Sequence, residues 1–210
     1  MGMKVVLYGA SGMIGSRILS ELISRGHQVA AVVRHPEKVT VPNVSVRRGD
    51  VLDAKSVAET AHGAEAAISA YAPPPNHVED LVDATRTLLT GLAGAGVRRF
   101  IMVGGAGSLE VAPGLQLVDA PDFPEVWKPY ALAHRDALAV LRSASIDWTN
   151  FSPAALIEPG QRTGKFRLGK DTLVTDEKGE SRISAEDYAV ALVDELEEPR
   201  HSRQRFTVGY

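Results

Sequence analysis

Cysteine is absent from this 210-residue chain, which excludes disulfide bonds, thiol chemistry and cysteine-ligated zinc. The six histidines are scattered with no two of them four residues apart, so no metal site is expected. Positive charge is not in excess either, because 23 lysines and arginines face 26 acidic residues and leave a formal net charge of −3. That balance lacks the basic footprint of a protein that binds nucleic acid or an anionic membrane.

Long hydrophobic runs are missing as well. No apolar stretch approaches membrane-spanning length, and the first residues lead into a strand pattern without the apolar region of a signal peptide. We therefore expect no membrane association and a cytoplasmic location. The length suits one α/β domain with a sizeable core. The sequence does not indicate the oligomeric state.

The most informative feature present is a G-x-x-G-x-x-G pattern directly after the apolar run Val5–Tyr8. Between a buried strand and a helix, the first glycine permits a tight turn, the second lets backbone approach a pyrophosphate, and the third brings helix and strand close together. The helix N-terminus adds free N–H groups and the positive end of a dipole. The pattern predicts a dinucleotide site. Its residues are Gly9, Ala10, Ser11, Gly12, Met13, Ile14 and Gly15.

Strands and helices alternate along the chain, which is typical of a doubly wound parallel sheet. Strands are predicted at 5–8, 28–33, 44–46, 66–70, 100–103, 148–151 and 205–208. Helices are predicted from residue 14 to about 25, at 54–61, from a capping box at Asn76 and Glu79 to about 95, at 130–143 and at 184–197. Residues 160–181 are interpreted as a hairpin or flap. The expected fold is a Rossmann-type α/β domain over residues 1–210, in which residues 152–210 form a small C-terminal cap on the substrate side.

A cation follows the second strand. In NAD-selective folds of this kind an acidic residue at that point holds the ribose 2′-hydroxyl, whereas this chain has Arg34, with His35, Arg47 and Arg48 expected nearby. A guanidinium pairs with a 2′-phosphate that a carboxylate would repel. The alternative is a solvated arginine at a strand end. The favoured cofactor is NADP, with NAD as the second choice.

Further cofactor contacts are expected after strands three, four and five, because ligands of open α/β sheets bind outside the carboxyl ends of the strands. The Asp50 carboxylate can accept from an adenine amino group while Val51 packs on the ring, although an Asx-turn explains Asp50 equally well. Small residues after the fourth and fifth strands let a nicotinamide ring approach the backbone. The candidates at these two strand ends are Ala70, Gly104 and Gly105, together with the larger Tyr71.

Three side chains are candidates for catalysis. Tyr130 and His134 lie four residues apart on a predicted helix and share its apolar face. An ordinary core tyrosine is an equally good interpretation of Tyr130. The His134 imidazole can donate to a ribose hydroxyl of the cofactor or relay a proton. Ser108, in the glycine-rich stretch after strand five, can reach a substrate oxygen.

At these residues the chain resembles the atypical short-chain dehydrogenases/reductases, in particular the subgroup named for NADH-flavin reductases, which is related to biliverdin reductase B and the NmrA-like proteins. The resemblance covers nearly the whole chain. Its marks are the glycine pattern at 9–15, Gly49–Asp53, Gly104–Leu109, Asp147–Thr149, Ser152-Pro153-Ala154, Arg162–Gly164 and Ile183–Ala189. The resemblance at Ser152-Pro153-Ala154 adds Pro153 to the expected cofactor contacts.

The resemblance implies an NAD(P)H-dependent reductase that passes hydride to a flat small-molecule acceptor such as a flavin or a quinone. Ordinary members of the family use a Tyr-x-x-x-Lys pair, whereas this chain has Tyr130 followed by His134. Without the lysine, reduction of a ketone to an alcohol is not favoured. Hydride transfer between two stacked rings depends less on this pair, because solvent can supply the proton. The alternative function is a non-catalytic NADP-binding redox sensor of NmrA-like type.

Overall fold

The computed structural model describes residues 2–42 and 44–210. Its helices are α1 (Met13–Ser24), α2 (Ala54–Ala61), α3 (Asp80–Gly94), α4 (Lys128–Arg142) and α5 (Ala185–Glu197). Its strands are β1 (Lys4–Tyr8), β2 (Gln28–Val33), β3 (Ser45–Arg48), β4 (Ala66–Ser69), β5 (Arg99–Val103), β6 (Glu110–Ala112), β7 (Leu115–Gln116), β8 (Asp147–Ser152), β9 (Leu156–Glu158), β10 (Arg167–Gly169), β11 (Arg182–Ser184) and β12 (Gln204–Gly209).

Eight strands form the central sheet in the order β10-β12-β8-β5-β4-β1-β2-β3. Every neighbouring pair is parallel except β10 and β12. The chain winds outward from β1 to β3 in one direction and from β4 onward in the other. The strand order therefore reverses between β1 and β4, where open α/β sheets bind their ligands. The predicted Rossmann-type fold is confirmed.

Helices cover both faces of the sheet. Successive strand residues point to opposite faces, so Leu7 of β1 packs with α1 and α5 in one apolar cluster. Tyr8, the next residue, packs with α2, α3 and α4 in a second cluster. This double burial is why the strands are nearly continuous apolar runs. The site lies at the edge where β1, β2, β4 and β5 end.

Two predicted helix caps are present and one is not. Asp53 accepts from the Lys55 N–H, and Ser184 accepts from the Asp187 N–H. The capping box at Asn76 is wrong, because α3 begins at Asp80 with no side-chain cap. Successive turns lead into this helix instead. The N–H of Asp80 donates to a backbone carbonyl at 3.1 Å and that of Leu81 to another at 3.3 Å, so these donors need no capping side chain.

The segment from 160 to 181 differs from the hairpin or flap that the sequence suggests. β10 pairs antiparallel with β12 and extends the edge of the main sheet. β9 and β11, which flank the segment, pair in parallel as a separate two-stranded sheet. The first pairing joins the segment to the end of the chain, and the second brings together the two ends of the segment. A local composition pattern reveals neither.

No helix within the described residues is long and apolar enough to cross a membrane.

Candidate functional site

The glycine turn joins β1 to α1. Gly9 has a φ of +77°, and a Cβ there would lie 2.5 Å from the carbonyl oxygen of Ala70. A Cβ on Gly15 would lie 2.0 Å from the carbonyl oxygen of Gly9. Gly12 is different, because a Cβ there meets only one atom, at 3.4 Å. The outer two glycines therefore permit the turn and the close approach of α1, while the middle one leaves open space.

The N-terminus of α1 is left without a cap by its own chain. Gly12 is the N-cap and has no side chain to accept a hydrogen bond, and the first turn holds no acidic residue. The first backbone bond of the helix runs from the Ser16 N–H to the Gly12 carbonyl at 2.9 Å. The preceding N–H groups and the positive end of the dipole are therefore available to an anionic ligand. Ala10 is buried in the core and Ile14 packs against it, so these two offer backbone groups only.

A cleft of about 180 Å³ opens beside this turn; we call it the glycine-turn cleft. Residues from the ends of β1, β2 and β4 and from the loop after β3 form its walls. They include Gly9, Ser11, Gly12, Val33, Arg34, His35, Lys38, Asp50, Val51, Ala70 and Tyr71. The cleft brings together half of the residues that the sequence singles out for cofactor binding, among them the exposed Arg34.

The part of the glycine-turn cleft that follows β2 is basic. Arg34 lines it together with His35 and Lys38, and no acidic residue follows β2 directly. Sequence reasoning missed Lys38. The signal was Pro36, which starts a single 3₁₀ turn over Pro36–Lys38. Arg47 lies elsewhere, since its guanidinium donates to the Thr60 carbonyl at 2.7 Å.

Asp50 and Tyr71 both line the same cleft. One carboxylate oxygen of Asp50 accepts from the Leu52 N–H at 2.9 Å, which is the Asx-turn that the sequence left open. Asp50 nevertheless lines the cleft with its neighbour Val51. Burial raises the pKa of Tyr71, and the charges of Asp80 and Asp50 add to the rise while Arg34 opposes it. The Tyr71 hydroxyl therefore lies close enough to these three charged side chains for their charges to affect its pKa.

A second cleft of about 680 Å³ lies beyond the end of β5; we call it the apolar pocket. The loop after β5, the segment that leads into α4, the first turns of α4 and the chain after β8 enclose it. Its lining includes Gly105, Ala106, Gly107, Leu117, Ala120, Asp122, Phe123, Pro124, Trp127, Tyr130, His134, Ala155, Leu156 and Ile157. Leu156 and Ile157 were not singled out by the sequence, because only the fold brings them to this place.

His134 packs against the loop after β5. A Cβ on Gly105 would lie 2.8 Å from the His134 side chain, so a glycine is needed there. The Nδ1 atom of His134 is buried and has no hydrogen-bond partner among the described residues. Burial lowers the pKa of His134 to about 4, so the imidazole is neutral at physiological pH. Because Nδ1 is closed off from the pocket, a ligand there would contact the ring through Nε2.

Tyr130 lines the apolar pocket and is not a core tyrosine. It lies one turn before His134 on α4 and is half-buried. Its ring packs against that of Trp127 with centroids 5.9 Å apart and a tilt of 55°. The two rings together form one aromatic wall. The predicted proximity of Tyr130 and His134 is therefore present in the structure.

Two predicted site residues have other roles. Ser108 is buried, and its hydroxyl and carbonyl oxygens both accept from the Arg205 guanidinium at 2.8 Å. Arg205 also donates to Asp171 at 2.9 Å, so Ser108 braces the loop after β5 and faces no substrate. Pro153 is buried and lines neither cleft, and its carbonyl accepts from the Thr207 hydroxyl at 3.4 Å. We leave both residues out of the proposed site.

Asn150, which sequence reasoning missed, lies under the same loop. It is buried in β8, and its Nδ2 atom has no partner among the described residues. A Cβ on Gly104 would lie 2.4 Å from its Oδ1 atom. Asn150 therefore explains the glycine at position 104. Its signal was a carboxamide within a strand predicted to be buried, where amides are uncommon.

One group of potential metal donors occurs among the described residues. Ligand atoms of His77, Glu79 and Asp80 lie within 4.8 Å of one another near the start of α3. His77 and Glu79 are exposed and Asp80 is half-buried. The group lies outside both clefts, and exposed acidic groups of this kind are common without an ion.

Solved structures with this fold cover nearly the whole chain. A Burkholderia pseudomallei protein provisionally named as exported is 50% identical with a TM-score of 0.92, over 99% of this chain and 100% of that one. A Bacteroides thetaiotaomicron protein provisionally named as an epimerase is 46% identical with a TM-score of 0.94, over 100% and 98%. A Streptococcus pneumoniae TIGR4 protein provisionally named as an NADH-flavin reductase is 36% identical with a TM-score of 0.91, over 99% of each.

These likenesses confirm the resemblance predicted from the motifs. The cytoplasmic location stays a prediction, since the Burkholderia protein is named as exported. The model of the NAD(P)H-binding family matches residues 9–199, which include the glycine turn and both clefts. The chain therefore belongs to the NAD(P)H-binding family of oxidoreductase-type Rossmann proteins, and its cofactor is NAD(P)H as the sequence predicted.

Proposed function

We propose that this protein is an NADPH-dependent reductase that passes hydride to a planar acceptor such as a flavin or a quinone. The observation that carries the proposal is the apolar pocket, whose aromatic wall and neutral His134 lie at the same sheet edge as the glycine turn. A planar acceptor fits between apolar side chains, and ring-to-ring transfer needs little further chemistry from the protein.

Residues of the chain would hold the cofactor along this edge. The uncapped N-terminus of α1 and the open space at Gly12 suit the pyrophosphate. The glycine-turn cleft suits the adenosine, and Arg34 with Lys38 suits a 2′-phosphate. Gly105 and Ala106 of the loop after β5 line the apolar pocket beside His134 and suit the nicotinamide end.

NADPH supplies a hydride when it is bound. The chain orients the nicotinamide and acceptor rings, and the aromatic wall of Trp127 and Tyr130 helps to exclude water. His134 is neutral and lines the apolar pocket, where its ring can hold a ribose hydroxyl and position the cofactor without adding charge. The proton that accompanies reduction of the acceptor comes from solvent.

Sugar epimerisation is less well supported, although one similar structure has a name of that kind. That chemistry in this fold uses the Tyr-x-x-x-Lys pair, and here the lysine position holds His134. A histidine that stays neutral does not replace the permanent charge of a lysine. The lining of the apolar pocket also offers few hydrogen-bonding groups for sugar hydroxyls.

Anaerobic stopped-flow absorbance with NADPH and either riboflavin or menadione tests the proposal. We expect rapid NADPH oxidation that is largely retained in Tyr130→Phe, because no alkoxide needs protonation. His134→Ala should raise the KM for NADPH. A large loss of kcat in Tyr130→Phe would identify Tyr130 as a general acid and favour carbonyl substrates. NADPH binding without oxidation by any flavin or quinone would overturn the proposal and favour the redox-sensor alternative.

A further inference from the structure

The apolar pocket has an uneven distribution of charge. Asp122 is the one formally charged residue among its described lining residues, and no lysine or arginine lines it. His134 does not compensate, since burial lowers its pKa to about 4 and it carries no charge at neutral pH. An acceptor that enters this pocket therefore meets a negative group and no positive side chain.

The two cations of α4 that adjoin lining residues do not change this, because each forms an ion pair with an acidic side chain. The Lys128 ammonium lies 2.7 Å from the Glu125 carboxylate, and the Arg135 guanidinium lies 3.4 Å from that of Asp119. Asp122, between these two acidic residues in the chain, forms no ion pair among the described residues and is exposed at the pocket. The segment that leads into α4 is therefore acidic, and the carboxylate of Asp122 forms no ion pair among the described residues.

The N-terminus of α4 is the one feature that favours an anion here. Its positive end amounts to about half a unit charge, spread over free N–H groups. Pro129 in the first turn has no N–H, which removes one of those donors. The full charge of Asp122 opposes the remainder. The glycine-turn cleft differs sharply, since Arg34 and Lys38 line it and suit a phosphate.

From this segregation of charge we propose that the apolar pocket takes planar acceptors that carry no phosphate or sulfonate, with Asp122 as the specificity-determining residue. This rests on the proposed reductase function and names its acceptor class. Riboflavin-like rings and simple quinones fit this class. Flavin nucleotides and ring-sulfonated quinones do not, because their anionic groups meet a like charge with no compensating cation.

Two matched pairs of probes test the proposal with the full-length protein: riboflavin against FMN, and menadione against a ring-sulfonated naphthoquinone. For each we would measure kcat/KM with NADPH, and Kd by fluorescence or absorbance titration with NADP⁺ bound. We expect the uncharged member to be favoured by about tenfold or more. Added salt should narrow the difference, because it screens repulsion at an exposed site.

Asp122→Lys should abolish or invert the preference in both kcat/KM and Kd. Asp136→Lys is the matched control, because Asp136 is an exposed residue of α4 that lines no part of the apolar pocket; it should leave the preference unchanged. Equal values for charged and uncharged probes in the parent protein, or equal effects of the two variants, would overturn the charge selection and leave the reductase standing. If no probe is reduced, the reductase proposal fails, and the Kd ratios still decide the charge selection.

Discussion

We propose that single residues of the glycine-turn cleft determine the choice between NADP and NAD. Arg34 is exposed at the end of β2 and shares the glycine-turn cleft with Lys38. We expect Arg34→Asp to reduce the preference for NADP⁺ over NAD⁺ by about tenfold or more, because a bidentate contact with the 2′-phosphate becomes a repulsion. Lys38→Ala should weaken NADP⁺ binding and leave NAD⁺ binding nearly unchanged. Isothermal calorimetry with both nucleotides measures each preference.

Arg98→Asp is the control for this change, since it makes the same charge substitution at an exposed residue outside the lining of the cleft. Arg98 directly precedes β5 and therefore lies at the opposite edge of the parallel sheet, so it should alter the preference only through a screened, long-range effect. If Arg34→Asp and Arg98→Asp shift the preference equally, net charge rather than a specific contact governs cofactor choice.

His134 shows how burial determines the chemistry of one side chain. Its pKa falls from 6.5 to about 4 because the surroundings disfavour the charged imidazolium. The unfolded chain therefore binds more protons between these values, and the folded state loses stability as pH falls from 6.5 towards 4. The loss is roughly 1–3 kcal/mol at most.

Urea unfolding at a series of pH values measures this loss. His134→Gln removes the titrating group, so its unfolding free energy should fall less over the same range. The pH profile of kcat/KM should show no inflection near the ordinary pKa of 6.5 that depends on His134. An inflection there that His134→Gln abolishes would mean that the imidazole titrates in the folded protein.

At the scale of elements, two glycines of the same turn are expected to have different roles, Gly15 in folding and Gly12 in cofactor binding. A Cβ on Gly15 would lie 2.0 Å from the Gly9 carbonyl oxygen, whereas a Cβ on Gly12 finds its nearest neighbour at 3.4 Å. We expect Gly15→Ala to destabilise the protein by roughly 2 kcal/mol or more, because α1 must shift away from β1. Gly12→Ala should fold normally and bind NADPH about tenfold more weakly, because the added methyl group occupies space meant for the cofactor.

Thermal unfolding and nucleotide titration of the two variants separate these effects. The comparison is informative because both changes add one methyl group to the same turn. Normal stability of Gly15→Ala would contradict the packing role of the third glycine. Unchanged affinity of Gly12→Ala would contradict the placement of the pyrophosphate.

The elements show which features the sequence predicts and which it does not. The glycine turn and the caps at Asp53 and Ser184 were predictable because their partners lie within a few residues. The partner of Ser108 is Arg205, which is 97 residues away, so the sequence suggested a catalytic hydroxyl where the structure has a brace. The outer wall of the apolar pocket depends in the same way on long-range pairing of β9 with β11.

At the scale of the whole molecule, Asp187 connects the C-terminal region to α5. It is fully buried and accepts from the Thr163 N–H at 2.7 Å, the Gly164 N–H at 2.8 Å and the Tyr210 hydroxyl at 2.8 Å. Burial alone would raise the pKa of Asp187, but hydrogen bonds from Thr163, Gly164 and Tyr210 hold it below the ordinary value. The carboxylate therefore contributes stability above its unfolded pKa of 3.8, which is lost as pH falls through the folded value.

Asp187→Asn should therefore cost roughly 2–4 kcal/mol of unfolding free energy at neutral pH, because an amide group faces donors that need an acceptor. Asp194→Asn is the matched control on the same helix, because this exposed residue forms a surface ion pair with Arg25. The substitution should cost about 0–1 kcal/mol of unfolding free energy.

Because α5 follows β11 and β11 pairs with β9, loosening Asp187 should also displace Leu156 and Ile157 from the apolar pocket. We expect the KM for the acceptor to rise several-fold while the Kd for NADPH stays constant. Urea unfolding measures the unfolding free energy, nucleotide titration the Kd for NADPH, and steady-state kinetics the KM for the acceptor. Equal losses of acceptor and cofactor affinity would show that the C-terminal region supports the whole site rather than its acceptor side.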